Sequence, residues 1–349
     1  MKKISFLILT TFLFQGPVVV GQSSLALMPK VELHLHLDCS LSYEVVKILQ
    51  PGISFDDYTA NFIAPSKCTD LADYIKRAVS GVELMQTKES LQLVTLDLFK
   101  QLKADNIVYA EIRFAPLLHT NKGLSPVEVV ETVLSAMREG IQTYNIEAGL
   151  ILCTLRHFSE SQSLETANLV HKYRNKGVVG FDIAADEAGF PIDNHIQAFQ
   201  LVNKAGIPCT AHAGEAKGAA SVWETMKNLR PKRIGHGVRS IEDPKLIEYL
   251  KKQDIHLEIC PTSNVQTNIY PRIQDHVVDQ LYDKGVSISI NTDARTISNI
   301  SLTEEYTTLA RQFNWGSKEF LKTNLEAIRH SFASKEIKER IENKLKNTK

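Results

Sequence analysis

From Val31 onward the chain alternates between short stretches of period two and longer ones of period three to four. Val31-Glu32-Leu33-His34-Leu35-His36-Leu37-Asp38 is the first of the short stretches. As a strand it places Val31, Leu33, Leu35 and Leu37 on one face and Glu32, His34, His36 and Asp38 on the other. The stretch from Cys39 to Ile107 then reads as helical: Leu71 to Ile75 and Leu91 to Leu102 carry apolar residues at i, i+3 and i+4. A connection this long at the catalytic face of a barrel commonly forms a lid, with Phe55, Tyr58, Phe62, Leu71 and Tyr74 as its candidate lining.

Seven further strands are expected at Val108–Phe114, Glu147–Leu155, Val178–Ile183, Pro208–His212, Arg233–Val238, Ile255–Cys260 and Ser287–Asp293. Between them, helices are expected from Pro126 to Tyr144, started by Ser125, from Leu164 to Asn175 and from Asn194 to Ala205. Along these strands small or polar residues mostly share one parity. Glu111 and Arg113 alternate with Ala110, Ile112 and Phe114, while Ser289, Asn291 and Asp293 alternate with Ile288 and Ile290. Eight such strands predict one α/β domain, a closed TIM-type (β/α)8 barrel whose polar set faces inward. It spans residues 22–349, with a helical insertion (39–107) after the first strand and extra C-terminal helices (302–349).

Composition leaves that picture intact. The 349 residues include 43% hydrophobic and 23% charged positions, with Lys+Arg and Asp+Glu both at 40. Nothing in that balance favours a nucleic acid partner. Residues 1–21 stand apart: Lys2 and Lys3 precede an apolar run from Ile4 to Phe14, with Val19-Val20-Gly21 after it. This is the pattern of a secretory signal peptide, and it predicts export to the periplasm or medium with no membrane span after cleavage. Translation from Met28 would instead leave the protein in the cytoplasm. The five cysteines, 39, 68, 153, 209 and 260, form no CxxC pair and do not read as a disulfide framework.

Chemistry concentrates at four expected strand ends: His34 and His36, His212-Ala213-Gly214-Glu215, Gly235-His236-Gly237, and Asn291-Thr292-Asp293. Barrel active sites lie at the C-terminal ends of strands, so these residues converge. His34, His36, His212 and Asp293 form a donor set suited to one Zn2+ with a position left for water, whose pKa such an ion lowers to roughly 7. Glu215 lies off the parity of its strand, and Gly214 allows the turn that would aim it at a substrate. His236, between two glycines, is placed to orient or deprotonate the water. Arg156, His157 and Glu258 could also face the interior, where structural roles are the simpler reading.

Met28-Pro29-Lys30-Val31-Glu32-Leu33-His34, His212-Ala213-Gly214-Glu215, Arg233-Ile234-Gly235-His236-Gly237, Cys260-Pro261-Thr262-Ser263-Asn264 and Asn291-Thr292-Asp293 closely resemble the adenosine deaminase family. The resemblance runs in order from Met28 to about Ala333. It implies zinc-dependent hydrolysis of a purine 6-amino group in purine metabolism, with a small-molecule nucleoside as partner. His34, His36, His212 and Asp293 would hold zinc, Glu215 would protonate ring N1, His236 would assist the water, and Asp38 would contact the ribose. A proton-donating carboxyl also predicts a raised pKa at Glu215.

Three positions depart from the family pattern. Ala294 replaces a second acid that meets purine N7, Cys39 replaces a glycine, and Ala185 replaces a glycine whose amide meets N3; Arg295 is a candidate replacement donor for N7. The leading expectation is adenosine or 2′-deoxyadenosine deamination to inosine or deoxyinosine. Two alternatives stand beside it: deamination of a 6-aminopurine on a modified ribose, such as aminodeoxyfutalosine, and an exported purine-binding protein with decayed catalysis. A two-metal amidohydrolase fits less well, because strand four ends in Phe181-Asp182-Ile183 with no bridging lysine.

Overall fold

A computed structural model describes residues 22–347; the expected signal segment, 1–21, lies outside them. α1 (Gln22–Leu27) leads into β1 (Lys30–His36). Four helices follow, α2 (Tyr43–Leu49), α3 (Phe55–Phe62), α4 (Leu71–Leu84) and α5 (Lys88–Ala104), before β2 (Ile107–Phe114). The first half continues through α6 (Pro126–Tyr144), β3 (Glu147–Leu155), α7 (Glu160–Tyr173) and β4 (Val178–Ala184). The second half runs α8 (Ile196–Lys204), β5 (Thr210–Ala213), α9 (Ala219–Asn228), β6 (Arg233–His236) and α10 (Pro244–Lys252). It ends with β7 (His256–Ile259), α11 (Pro261–Gln266), α12 (Val278–Asp283) and β8 (Ile288–Ile290). Three helices follow: α13 (Leu302–Phe313), α14 (Ser317–His330) and α15 (Lys335–Asn347).

The strands form two parallel four-stranded sheets, ordered β1-β2-β3-β4 and β5-β6-β7-β8. Bridges Phe181↔Cys209 and Leu35↔Asp293 join them at both seams. At the second seam the His36 amide donates to the Asp293 carbonyl at 2.8 Å and the Asp293 amide to the His34 carbonyl at 3.0 Å. Eight parallel strands therefore close into a ring. That closure brings His34, His36 and Asp293 together across more than 250 residues of sequence.

Parity sorts the side chains as expected. Leu35 and Leu37 join the main apolar core, while Val31 and Leu33 pack on Ala327, Ile328, Ile341 and Leu345 of α14 and α15. The interior holds Glu111, Arg113, Asp182, Arg233 and Glu258, all with no exposed surface. Buried charge is tolerable only when paired, and here each one is. Arg113 bridges Asp182 (2.8 Å) and Glu258 (2.7 Å), and Arg233 bridges Glu258 (2.6 Å) and Glu111 (2.5 Å).

The expected 39–107 insertion divides in two. α5 buries Leu91, Leu98 and Phe99 in the main core and packs along α6, so it is the barrel-wall helix between β1 and β2. The inserted part is therefore α2 to α4. Within it, Leu71 and Tyr74 line the central cavity, whereas Tyr58 and Phe62 belong to the core and Phe55 is 57% exposed. Among the described residues no helix is long and apolar enough to cross a membrane.

Candidate active site

β1 presents His34 and His36 at its C-terminal end, and the chain then enters a 3-10 turn, Leu37–Cys39, that carries Asp38 off the strand. His34 is fully buried; its Nδ1 lies 2.8 Å from Glu258 Oε2 and its Nε2 3.2 Å from Asp293 Oδ1. His212 repeats the arrangement from β5, with Nδ1 3.2 Å from Asp182 Oδ2. An imidazole whose Nδ1–H is committed to a carboxylate turns an Nε2 lone pair the other way. His36 Nε2 lies 3.4 Å from His212 Nε2 and 3.5 Å from Asp293 Oδ1. Ser263 donates to Asp293 Oδ2 at 2.7 Å and leaves Oδ1 facing the rings. Ligand atoms of His34, His212, His236 and Asp293 all fall within 4.8 Å of one another and could hold one ion; this set takes in His236, expected to assist the water, and leaves out His36, expected as a ligand.

Close backbone approach makes this possible. Gly235 on β6 sits beneath the rings, where a Cβ would lie 3.0 Å from His34 Cε1 and 3.2 Å from His212 Cγ. Gly214, at φ +68°, turns the chain after β5 so that Glu215 leaves the strand's parity; a side chain there would be strained and would meet Val222.

Electrostatics assign the protonation states. Burial, with Asp293 and Glu187 nearby, pushes the Glu215 carboxyl well above its ordinary range, which favours its protonated form. Burial and the neighbouring rings hold His236 well below the usual imidazole range, so it is neutral. Burial pushes His36 down to about 3. Burial disfavours charge on Asp293 as well, but the hydrogen bond with His34 and the surrounding imidazoles of His34, His236 and His36 together outweigh it and hold the group well below the usual carboxyl range. At His34, burial and Arg113 push downward, yet hydrogen bonds to Asp293 and Glu258 leave its affinity for a proton raised. Two carboxylates thus make this a place that favours positive charge.

The hydrogen-bond network also assigns the tautomer of His236. The Val278 amide donates to His276 Nδ1 at 3.0 Å, so the proton of that neutral ring is on Nε2, 3.2 Å from Asn264 Oδ1. The amide is thereby oriented, and its Nδ2 donates to His236 Nδ1 at 3.0 Å. His236 therefore carries its proton on Nε2, the nitrogen 3.5 Å from Glu215 Oε2.

These groups border a cavity of 380 Å3, within the range of roughly 300–1,000 Å3 usual for small-molecule sites. His36, Asp38, Ala185, His212, Glu215, His236, Asp293 and Ala294 line it, while His34 lies behind them. Asp38 faces His119 at 3.7 Å; burial would raise its pKa, but the imidazole holds it below the ordinary carboxyl range. Ala185 adopts φ 78°, and Ala294 packs among Leu71, Tyr74 and Ile297. Arg295 does not serve as a replacement donor: it is buried outside the cavity, bonded to Glu32 (2.5 Å) and Asp105 (3.0 Å). Two buried carboxylates in the barrel wall hold the guanidinium there.

Sequence reasoning placed Arg113 and Asp182 on inward-facing parity without giving them a role, missed Glu187, and gave Glu258 only a generic structural role. Asp182 and Glu258 share the inward parity of their strands, the one signal that could have singled them out. Arg156, whose Nη2 donates to the His212 carbonyl at 2.8 Å, steadies the end of β5.

The adenosine deaminase family model matches residues 29–348. An adenosine deaminase from Clostridium acetobutylicum is 37% identical over 325 residues, 91% of this chain and 97% of its own. One from Enterococcus faecalis is 33% identical over 330 residues, 93% of this chain and 98% of its own. Among solved structures, an adenine deaminase from Arthrobacter aurescens shares the fold with a TM-score of 0.85 at 24% identity, covering 91% of this chain and 98% of that one. With the barrel, the imidazole–carboxylate cluster and these relatives in agreement, the chain belongs to the adenosine deaminase family.

Proposed function

We propose that this chain hydrolyses adenosine and 2′-deoxyadenosine to inosine or deoxyinosine and ammonia, with one Zn2+ as its metal. The observation that carries the reading is the buried Glu215 carboxyl 3.5 Å from His236 Nε2, at the edge of the imidazole–carboxylate group, where burial raises the pKa of the carboxyl and lowers that of the imidazole.

The cluster fits a cation. His34 Nε2 is buried 3.2 Å from Asp293 Oδ1, and the Nε2 atoms of His36 and His212 approach to 3.4 Å. His34, His36, His212 and Asp293 would hold the ion, and three imidazoles with one carboxylate and no thiolate suit zinc. Zn2+ bound there supplies Lewis-acid activation of a water molecule, lowering its pKa to roughly 7.

The chain's own groups do the rest. Glu215 donates its proton to purine N1, which makes C6 electrophilic at the moment of attack. His236 presents Nε2–H toward the attacking water and orients it, in keeping with its assigned tautomer. The water oxygen becomes the 6-oxo group and the C6–N6 bond breaks; of the two protons the water gives up, one goes to the departing amino nitrogen, which leaves as ammonia, and one restores the proton that Glu215 gave to N1. Asp38 accepts a ribose hydroxyl, the Ala185 amide meets N3, and Ala294 leaves N7 without a side-chain partner. We further propose export directed by residues 1–21, supported by their charge and apolar pattern; the mass of the mature chain tests it.

Ammonia release from adenosine, measured before and after chelation and again after zinc is restored, tests the activity. Turnover that disappears and returns is expected. A zinc-loaded chain that ignores adenosine yet deaminates a 6-aminopurine on a modified ribose would move the substrate and keep the chemistry.

A further inference from the structure

We propose that Glu187 is a positioning residue for the proton donor: its carboxylate gathers the backbone of the turn that carries Glu215 and so sets the direction of that side chain. Glu187 follows β4, is 1% exposed, and reaches across to the end of the next strand. Its Oε1 accepts from the Gly214 amide (2.7 Å) and from Ser221 Oγ (2.6 Å). Its Oε2 accepts from the amides of Glu215 and Lys217, both at 2.9 Å. From the other side Arg239 holds the carbonyls, its amide donating to Gly214 and its Nη1 to Ala216, both at 3.0 Å. The turn is thus gripped along its N–H row by one carboxylate and along its C=O row by one arginine.

The grip matters because the Glu215 side chain is held loosely at its own end. Its contacts with Asn264, Thr267 and His236 are all 3.5 Å long. Its aim is therefore set from the backbone, which Glu187 fixes. The negative charge of Glu187 also acts in concert with burial and Asp293 to keep the Glu215 carboxyl protonated. All four partners of Glu187 are donors, so glutamine is a poor substitute: its amide nitrogen would face two of them.

This inference rests on Glu215 acting as proton donor, and one kinetic cycle separates the two. The full zinc-loaded chain, Glu187→Gln, Glu215→Gln and the double variant are compared with adenosine, with metal content and thermal unfolding as controls. For Glu187→Gln, kcat is expected to fall about 100-fold, the scale of a misplacement near 1 Å, with KM within about threefold and metal content unchanged. In the Glu215→Gln background the same change is expected to cost less than about threefold, because its target is already gone. Glu187→Asp, which keeps the charge and both acceptor oxygens, should recover part of the loss, and it carries the same cycle if the glutamine variant does not fold. Wild-type kcat in the Glu187 variants, or an equal loss with and without Glu215, would overturn the inference. A wild-type chain inactive on adenosine would instead overturn the functional reading beneath it.

Discussion

Asp182→Asn removes one charge from the barrel interior and should loosen the metal without unfolding the protein. Asp182 accepts from Arg113 Nη1 at 2.8 Å and from His212 Nδ1 at 3.2 Å. Burial raises its pKa, but the adjacent imidazole and guanidinium more than compensate, and it is a carboxylate throughout the physiological range. Asparagine offers one acceptor oxygen in place of two. The guanidinium is the stronger donor, so the oxygen turns to Arg113 and the amide nitrogen faces His212 Nδ1. His212 must then accept at Nδ1 and carry its proton on Nε2, the atom that points into the cluster. Loss of such an orienting partner typically costs 10- to 100-fold in metal affinity, about 1.4–2.7 kcal/mol. Arg113 keeps Glu258 at 2.7 Å, so folding should survive. Competition against a chelator of known zinc affinity measures the effect, with kcat expressed per bound zinc. Zinc affinity within about twofold of wild type would refute the claim that Asp182 fixes the ligand tautomer.

Other consequences follow from the same geometry. Among the described residues no lysine or arginine borders the cavity, which instead carries Glu83 and Asp38, so adenosine 5′-monophosphate should show kcat/KM at least ~100-fold below adenosine, a loss of about 2.7 kcal/mol; comparable efficiencies would refute it. His276→Phe ends the relay that orients Asn264, and kcat should fall about tenfold at unchanged zinc content, a fraction of the 100-fold or more that positioned proton groups contribute. Burial raises Glu305 from 4.5 to about 8, overriding its hydrogen bond from the Thr262 amide. Its protonated form is favoured by folding, so that contribution is fully present below about pH 4.5, shrinks as pH rises and is gone above about pH 8. Glu305→Gln should flatten the pH dependence of the melting temperature across this window, and parallel curves for the two proteins would contradict it.

The architecture was largely legible because strand parity and helix caps are local signals. Ser125, Pro126 and Glu128 form a capping box with proline in the first turn, and α6 begins and ends where the pattern places it. α7 begins at Glu160, four residues before the expected Leu164, because Ser159 and Gln162 form a capping box that apolar spacing does not reveal. β5 to β8 are shorter than their apolar runs. The chain leaves β6 at His236 (φ 59°), and Asp293, beyond β8, has φ 65°, so two candidate site residues occupy turns that periodicity reads as strand. The site divides along the same line. His34, His36, His212, Glu215, His236 and Asp293 sit in short motifs that sequence displays. The groups that orient them, Asp182, Glu187, Glu258 and His276, are single residues whose partners arrive only when the barrel closes.

The most direct test of the central claim is the conversion of adenosine by the zinc-loaded chain, followed by the change in nucleoside ultraviolet absorbance, beside Glu215→Gln at equal metal content. The account predicts one ammonia per nucleoside consumed in the wild type and a kcat lower by at least ~1,000-fold in the variant, the upper part of the range for a positioned proton donor. A folded, zinc-loaded Glu215→Gln chain that deaminates adenosine as fast as the wild type would contradict it.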